Sequence, residues 1–385
     1  MKISQIKITL QDASVTRACL VLPLGSAIDP GGKSGLTHVL EHCLYAQVLQ
    51  VWQDGQKKYA LDFFTATTFR DHVEFSITVS AGDESLIDEL ISITTKPLAL
   101  SQAEYQRELD ILHRELVEQE SDPDYANEQA EAEWLYSKTF QKPNGGTSAS
   151  IRNIQLSDVI DWQQNLIESE LLIISTAHYQ SKLPLKQVQN WHNPNPIALE
   201  HTAETTQLKL VRTYGEDAVI HAFLMARVMN EGQNNHLLLL GSYLEEQLRA
   251  QADTSGDMYY YGADTFTVGS QTELSLSVTV SQEKVSYYQK FLTQLIQKAY
   301  DISEQDFIGL RDKTAKIQSI AQSDPAARFS NYCFSAITWG QTWEEYSVAE
   351  ESLSSLSRTD FQEFLTSNVS ALQDMKIAQI IPTIS

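Results

Sequence analysis

Cysteine and long apolar runs are scarce in this chain of 385 residues, and each absence excludes a class of protein. Its three cysteines, Cys19, Cys43 and Cys333, are odd in number and far apart, which predicts no disulfide framework and a reducing compartment. No apolar segment approaches the length of a membrane span, and residues 1–10 alternate like a strand and lack a signal-peptide core. We therefore expect a cytoplasmic protein.

Positive charge is also in short supply. Lysine and arginine number 28 against 50 aspartates and glutamates, which leaves a formal net charge of −22 at pH 7. Such a surface repels the phosphates of nucleic acids and of anionic membranes. We expect neither among the partners of this protein, whereas a neutral or basic peptide is compatible with the charge.

A weak internal repeat with a period near 200 residues organises the chain. Each copy is predicted to contain an alternating strand, a helix, and a serine that opens a further helix. These elements are 75–80, 84–95 and Ser101 in the first copy, and 276–281, 283–300 and Ser303 in the second. Strands mixed with paired helices predict an α+β fold of two homologous α/β domains, each a mostly antiparallel sheet with helices packed on one face.

The boundary between the copies is predicted in a stretch rich in proline. The segment 193–196 reads Asn-Pro-Asn-Pro, which breaks helices and strands alike. We expect a first domain of residues 1–190, a linker of 191–204 and a second domain of 205–385.

The most informative motif occupies residues 38–42, which read His-Val-Leu-Glu-His. On a helix, His38 and His42 lie on one face, one turn apart, where both can bind one metal ion. Glu41 lies near the same face and is suited to take a proton from a metal-bound water, which is the minimum set for zinc-assisted hydrolysis. The segment 36–49 has few helix breakers, and Ser34 is the expected N-cap. Two surface histidines on an amphipathic helix would leave the same pattern.

A hydrolytic zinc site needs a third protein ligand. Glu108 and Glu115 are seven residues apart on one predicted helix, so they share a face. The matching residues of the second copy are apolar, Leu310 and Ile317. We therefore expect both acids to point inward, where carboxylates are costly unless they are paired or bound to a metal.

These segments resemble the pitrilysin/insulinase family of zinc metallopeptidases, the inverted zincins, including bacterial relatives of the mitochondrial processing peptidase. The similar residues are Gly25-Ser26, Asp29-Pro30 and 35–42. The interval from the motif to Glu115 and the segment 65–72, which ends in Arg-Asp-His, are similar as well.

The resemblance implies a zinc-dependent endopeptidase. Zn²⁺ would be bound by His38, His42 and Glu115, with Glu41 as the general base and Glu108 orienting a ligand. The two domains would form half of a clamshell that encloses an unfolded peptide. The other half would be a second copy in a homodimer, or a paralogous subunit in a heterodimer.

The resemblance also implies how the peptide is bound. It would add as a strand to a sheet edge formed by three residues, Thr65, Ala66 and Thr67. Arg249 matches a family arginine that contacts the substrate carbonyl. The partner tyrosine expected seven residues later is replaced by Gly256, and Tyr259 is the predicted substitute.

Two other functions stay open. A non-catalytic partner subunit that binds peptide or only shapes a chamber would share the fold, and zinc content would separate it from a peptidase. A zinc hydrolase with a non-peptide substrate would share the metal ligands, because the peptide assignment depends on the resemblance alone.

Overall fold

The computed structural model describes residues 2–10, 12, 14–54, 63–370 and 374–383. The strands are β1 (Lys2–Ile8), β2 (Val15–Leu22), β3 (Phe64–Thr68), β4 (Val73–Ser80), β5 (Glu170–Thr176), β6 (Lys186–Gln187), β7 (Gln207–Arg212), β8 (Asp217–Arg227), β9 (Met258–Val268), β10 (Gln271–Ser281) and β11 (Lys376–Pro382). The helices are α1 (Leu36–Asp54), α2 (Ser85–Thr94), α3 (Gln102–Glu120), α4 (Tyr125–Leu135), α5 (Lys138–Gln141), α6 (Ser148–Ile151), α7 (Leu156–Glu168), α8 (Glu231–Ser255), α9 (Val285–Tyr300), α10 (Glu304–Gln322), α11 (Pro325–Trp339), α12 (Trp343–Ser352) and α13 (Arg358–Asn368).

The chain forms two compact units that do not follow its two halves. Unit 1 consists of Met1–Tyr125, Lys142–Ile197 and Pro325–Trp343, and unit 2 consists of Ala126–Gln141, Ala198–Asp324 and Glu344–Ser385. The first half of the sequence thus contributes the helical segment Ala126–Gln141 to unit 2, and the second half contributes Pro325–Trp343 to unit 1. The predicted domains, 1–190 and 205–385, did not include this exchange of segments.

Unit 1 is built on a six-stranded sheet in the order β3-β4-β2-β5-β1-β6. The pairs from β3 through β5 are antiparallel, while β1 runs parallel to β5 and to β6. Alternate residues of β4 enter the core, among them Phe75 and Ile77, where they join Leu40 and Leu44 of α1 and Leu112 of α3. Burying each such side chain stabilises the fold by about 1.5–3 kcal/mol, so the core fixes α1 against the sheet.

Unit 2 repeats this architecture with a five-stranded sheet in the order β7-β11-β8-β10-β9. Read from the other end, β9, β10, β8, β11 and β7 correspond to β3, β4, β2, β5 and β1. The strand directions agree as well, since β7 and β11 are parallel and the other pairs are antiparallel. The predicted α+β fold with two mainly antiparallel sheets is confirmed.

Helix α11 lies on a second face of the unit 1 sheet. A cavity of about 380 Å³ is lined by Thr65, Glu74 and Ser76 of the sheet and by Phe329 and Cys333 of α11. Those sheet residues alternate with the core residues of β3 and β4, so they face the opposite side. The sequence prediction of helices on one face omitted this helix.

The three cysteines are buried as free thiols. Within the described residues, no helix is both long enough and apolar enough to cross a membrane.

Candidate metal centre

The motif residues lie on α1 as the four-residue spacing predicts. The imidazole centroids of His38 and His42 are 4.9 Å apart. Ligand atoms of these two residues and of Glu41 all lie within 4.8 Å of one another, which makes them a group that could hold a metal ion. The neighbouring Leu40 and Cys43 are buried in the core, so the polar face of α1 is fixed by the packing of its apolar face.

The start of α1 is held by Asp29. Its carboxylate accepts hydrogen bonds from the backbone amides of Gly35 (2.7 Å) and Thr37 (3.0 Å). These amides have no partner within the helix, so Asp29 takes the role that was predicted for Ser34. The prediction of Ser34 was wrong because the loop folds back and brings a more distant acid to the helix start.

Glu115 of α3 approaches both histidines. Its Oε2 lies 3.6 Å from Nε2 of His42, and its Oε1 lies 3.9 Å from Nε2 of His38. Tetrahedral ligands at zinc distances of about 2.0–2.2 Å are separated by roughly 3.3–3.6 Å, so these donors need to close by only a few tenths of an ångström. Two imidazoles and one carboxylate are a donor set that suits zinc.

The expectation that both acids of α3 point inward is right for Glu108 alone. Glu108 is 9% exposed, whereas the side chain of Glu115 is 56% exposed. The matching Ile317 of unit 2 is 59% exposed and Leu310 is buried. Position 115 lies at the rim of the packed face of α3, where a carboxylate can reach α1 and water at once.

Burial keeps both histidines neutral. It lowers the pKa of His42 to about 4, with a further contribution from the neighbouring His38. Burial also lowers the pKa of His38, although the negative charge of Glu115 opposes that shift. Neutral imidazole is the form that binds a metal, so at neutral pH neither histidine has to lose a proton first.

Glu41 lies beside these donors with a raised proton affinity. Burial raises its pKa to about 7, and a hydrogen bond from Thr68 Oγ1 (3.3 Å) opposes the shift. Its Oε2 is 3.8 Å from Nε2 of His38. A carboxylate with a pKa near 7 can accept and release a proton at neutral pH, which is what general acid–base catalysis requires.

Glu108 is buried on α3, about two helical turns before Glu115. Its Oε1 accepts a hydrogen bond from Nε of Arg107 (3.2 Å). It also lies close enough to Cys43 that its negative charge, after burial, helps raise the pKa of that thiol to about 12. The structure thus places Glu108 within electrostatic range of the residue that follows His42.

A loop that contains the pair Gly145-Gly146 packs against the site. A Cβ on Gly145 would lie 2.7 Å from Nδ1 of His38, so this position admits no side chain unless the ring moves. Gly146 has a φ of +80° and packs against the backbone of Gly35. A Cβ on Gly146 would lie 2.8 Å from the Cα of Gly35. The Gly-Gly pair at 145–146 was the available signal, but nothing local says what it packs against.

The predicted peptide-binding residues form an edge strand. β3 is the terminal strand of its sheet and pairs with β4, and in this register the three residues lie opposite Ser76 (Thr65), Phe75 (Ala66) and Glu74 (Thr67). Thr65 and Thr67 are exposed, and Ala66 packs against the core. The opposite backbone edge of β3 has no partner strand among the described residues, so it can accept an added strand.

Arg249 and Tyr259 both belong to unit 2. Arg249 is exposed on α8 and lies 3.5 Å from Glu245. Its interaction with Tyr261 raises the pKa of Arg249, while Tyr259 is 65% exposed on the edge strand β9. Tyr261 therefore lies within interaction range of the arginine.

Comparison with known proteins connects this fold to peptidases. No model of a protein family matches the chain, and no curated protein matches it. Solved structures do, among them an M16-like peptidase from Alicyclobacillus acidocaldarius (12% identity, TM-score 0.73, 99% of this chain and 96% of that one), a protease from Helicobacter pylori (14%, 0.76, 98% and 96%) and a peptidase M16 inactive domain from Pseudomonas fluorescens (10%, 0.75, 100% and 95%). At such low identity the similarity shows the fold, which is that of M16-like peptidases, the pitrilysin fold that the sequence resembles.

Proposed function

We propose that this chain is a zinc-dependent endopeptidase. The observation that carries the proposal is the convergence of His38, His42 and Glu115 next to Glu41, on a fold shared with M16-like peptidases. Two neutral nitrogen donors and a carboxylate would bind Zn²⁺, and they leave room for water because Glu115 is at the solvent boundary. Bound zinc supplies Lewis acidity, which lowers the pKa of a coordinated water and polarises a carbonyl.

Glu41 is the general base in this proposal. It accepts the proton of the attacking water and delivers it to the amine that leaves when the peptide bond breaks. Its place within 3.8 Å of His38 and its pKa near 7 both support that role. Glu108 would hold the segment after His42 in position.

The peptide would bind at Thr65, Ala66 and Thr67 by strand addition, since backbone hydrogen bonds recognise an extended chain whatever its side chains. Arg249 and Tyr259 are proposed to contact the substrate carbonyl, with Tyr261 close enough to interact with the arginine. A second copy of the chain or a paralogous subunit would complete the chamber. The cytoplasmic location stays a prediction.

A second candidate function is that of a non-catalytic subunit that binds peptide. One observation favours it: a solved structure that covers this whole chain at a TM-score of 0.75 is described as an inactive domain. The two functions differ in whether the purified chain retains zinc and whether Glu41 matters.

The test is cleavage of a mixed peptide library, read by mass spectrometry, with zinc measured on the same samples. The parent is expected to bind about one zinc ion per chain and to cleave. Glu41→Gln is expected to keep zinc and to lose activity by roughly 10²–10⁴-fold, the range of general acid–base catalysis.

Glu363→Gln is the matched control, because it makes the same chemical change at an exposed acid on α13, a helix of unit 2 that does not contribute to the cluster. It should cleave at the parental rate. Unchanged cleavage by Glu41→Gln would disprove the role of Glu41, and a parent that binds peptide without zinc or cleavage would favour the non-catalytic subunit. Since a single chain supplies one pair of domains, the library is also incubated with any co-encoded paralogue.

A further inference from the structure

Thr68 connects the proposed peptide-binding edge to the acid of the metal cluster. It is the last residue of β3 and is 7% exposed. Strand alternation puts Phe64, Ala66 and Thr68 on the side of α1. From there the Thr68 hydroxyl donates a hydrogen bond to Oε2 of Glu41 at 3.3 Å.

The backbone of Thr68 is itself anchored. Nδ2 of Asn144 donates to the Thr68 carbonyl oxygen (2.5 Å), and Oδ1 of Asn144 accepts a hydrogen bond from the Ser26 hydroxyl. The backbone amide of Ser26 donates in turn to the carbonyl of Phe69 (3.0 Å). Hydrogen bonds from Asn144 and from Ser26 thus fix the backbone at the end of β3, which limits where the Thr68 hydroxyl can point.

A buried carboxylate needs such a donor to have a defined orientation. Glu41 is 7% exposed, and its Oε2 is the atom that faces both Thr68 and Nε2 of His38. A rotation of the side chain that broke the Thr68 hydrogen bond would also move this oxygen away from the histidine. One hydroxyl therefore fixes the direction in which Glu41 presents its proton-accepting atom.

We propose that Thr68 is a positioning residue that holds Glu41 in the orientation needed for proton transfer. This inference rests on the proposed function, since it concerns the same reaction. It adds that β3, the strand expected to bind the peptide, also carries the residue that orients the general base. Peptide binding and the orientation of Glu41 would then depend on the same strand.

The kinetic test compares Thr68→Val with Thr68→Ser. Valine has nearly the shape of threonine and lacks the hydroxyl, whereas serine keeps it. Losing one hydrogen bond to a charged group should lower kcat about tenfold in Thr68→Val, with KM changed less than about twofold. Thr68→Ser should recover most of kcat, which a purely structural role of the methyl group would not allow.

A second readout does not require activity. In metal-free protein labelled with ¹³C at the glutamate side-chain carboxyl, the Glu41 resonance is assigned by its loss in Glu41→Gln. It should shift in Thr68→Val and in Thr68→Ala, which both lack the hydroxyl, and return in Thr68→Ser. The alanine variant also serves should the valine variant not fold.

The outcomes separate this inference from the proposed function. A parent that does not cleave contradicts the proposed function, while the resonance still tests the contact between Thr68 and Glu41. A Glu41 resonance that is unmoved in both variants, or a kcat that Thr68→Ser fails to recover, would overturn the role of Thr68. A resonance shift with recovery in serine, together with a kcat loss at constant KM, would support it.

Discussion

The two units share one strand order, yet equivalent helices carry opposite kinds of residue. The buried residues 39, 40, 43, 44 and 48 of α1 align with the buried residues 239, 240, 243, 244 and 248 of α8, so unit 2 has Leu238 and Ser242 where unit 1 has His38 and His42. Leu238 is 37% exposed, and neither residue offers a nitrogen or carboxylate ligand. Among the described residues, a group of side chains close enough to hold a metal occurs in unit 1 alone.

This difference shows that the fold does not need polar residues at these positions. Unit 2 has a leucine and a serine there, neither of which is ionisable, and burying an ionisable group without a partner costs free energy. Unit 1 keeps two imidazoles and an acid there, and the burial of Glu41 raises its pKa to about 7. A cluster that weakens packing in one copy and is absent from the other is the pattern expected of a functional site.

The largest expected effect separates metal binding on α1 from packing on α8. His42→Ala should lose nearly all zinc, because two remaining ligands do not hold the ion. Tyr243→Ala, on the buried face of α8, should keep zinc and lower the free energy of unfolding by about 3 kcal/mol, through the cavity that it leaves. Zinc analysis and urea unfolding of both variants measure the two effects. If His42→Ala retained zinc, the contrast between the units would not be one of metal binding.

A reciprocal exchange tests the second pair of positions. Leu310→Glu should cost about 3–5 kcal/mol, because it buries a charge without a partner. Glu108→Leu should instead stabilise the metal-free protein by about 1 kcal/mol, since its one hydrogen bond is to Arg107, which is largely exposed. Zinc affinity should fall roughly 10- to 100-fold in the same variant if Glu108 orients a ligand. Thermal and urea unfolding provide the measurement, and a destabilised Glu108→Leu would show that this acid is structural.

The third comparison concerns the turn next to the edge strand, where the expected effect vanishes at high pH. Burial alone would lower the pKa of His72, but hydrogen bonds to Asp71 (2.7 Å) and Glu74 (2.9 Å) raise it to about 9. At the matching position of unit 2, Glu273 instead accepts a hydrogen bond from Tyr136 (2.8 Å).

Because the folded pKa of His72 exceeds the unfolded value of about 6.5, its contribution is fully present below pH 6.5 and is lost as the pH rises through 9. The contribution is on the order of 3 kcal/mol. Unfolding free energies of the parent and of His72→Gln should therefore differ most at pH 6 and converge near pH 9.5. A difference that is constant over this range would contradict the assigned charge.

The local patterns of the sequence were sufficient for much of this structure. The repeat, the alternating strands and the helix that brings His38, Glu41 and His42 onto one face all follow from periodicities of 2 and 3.6 residues. Ser101 and Ser303 cap their helices as predicted. The seven-residue spacing did place Glu108 and Glu115 on the same helix, but it could not say which one is exposed.

Contacts between distant segments could not be predicted from such patterns, because they depend on how loops fold back. Asp29 accepts hydrogen bonds at the start of α1, and Asn144 donates one to the Thr68 carbonyl. Tyr261 lies within interaction range of Arg249. The resemblance to a family supplied the place of Glu115 relative to the motif. It did not indicate Thr68, because that hydrogen bond joins a strand to a helix 27 residues away.

The segment Pro325–Trp343 has a consequence for the order of synthesis. It belongs to unit 1, although most of unit 2, Ala126–Gln141 and Ala198–Asp324, precedes it in the chain. At elongation rates of 5–20 residues per second, it leaves the ribosome roughly 15–60 s after the metal-binding helix does. During that interval α11 cannot cover its face of the first sheet, and that side of Thr65, Glu74 and Ser76 stays open. Synthesis of unit 1, which carries the metal cluster, therefore begins first and ends only after most of unit 2 has been synthesised.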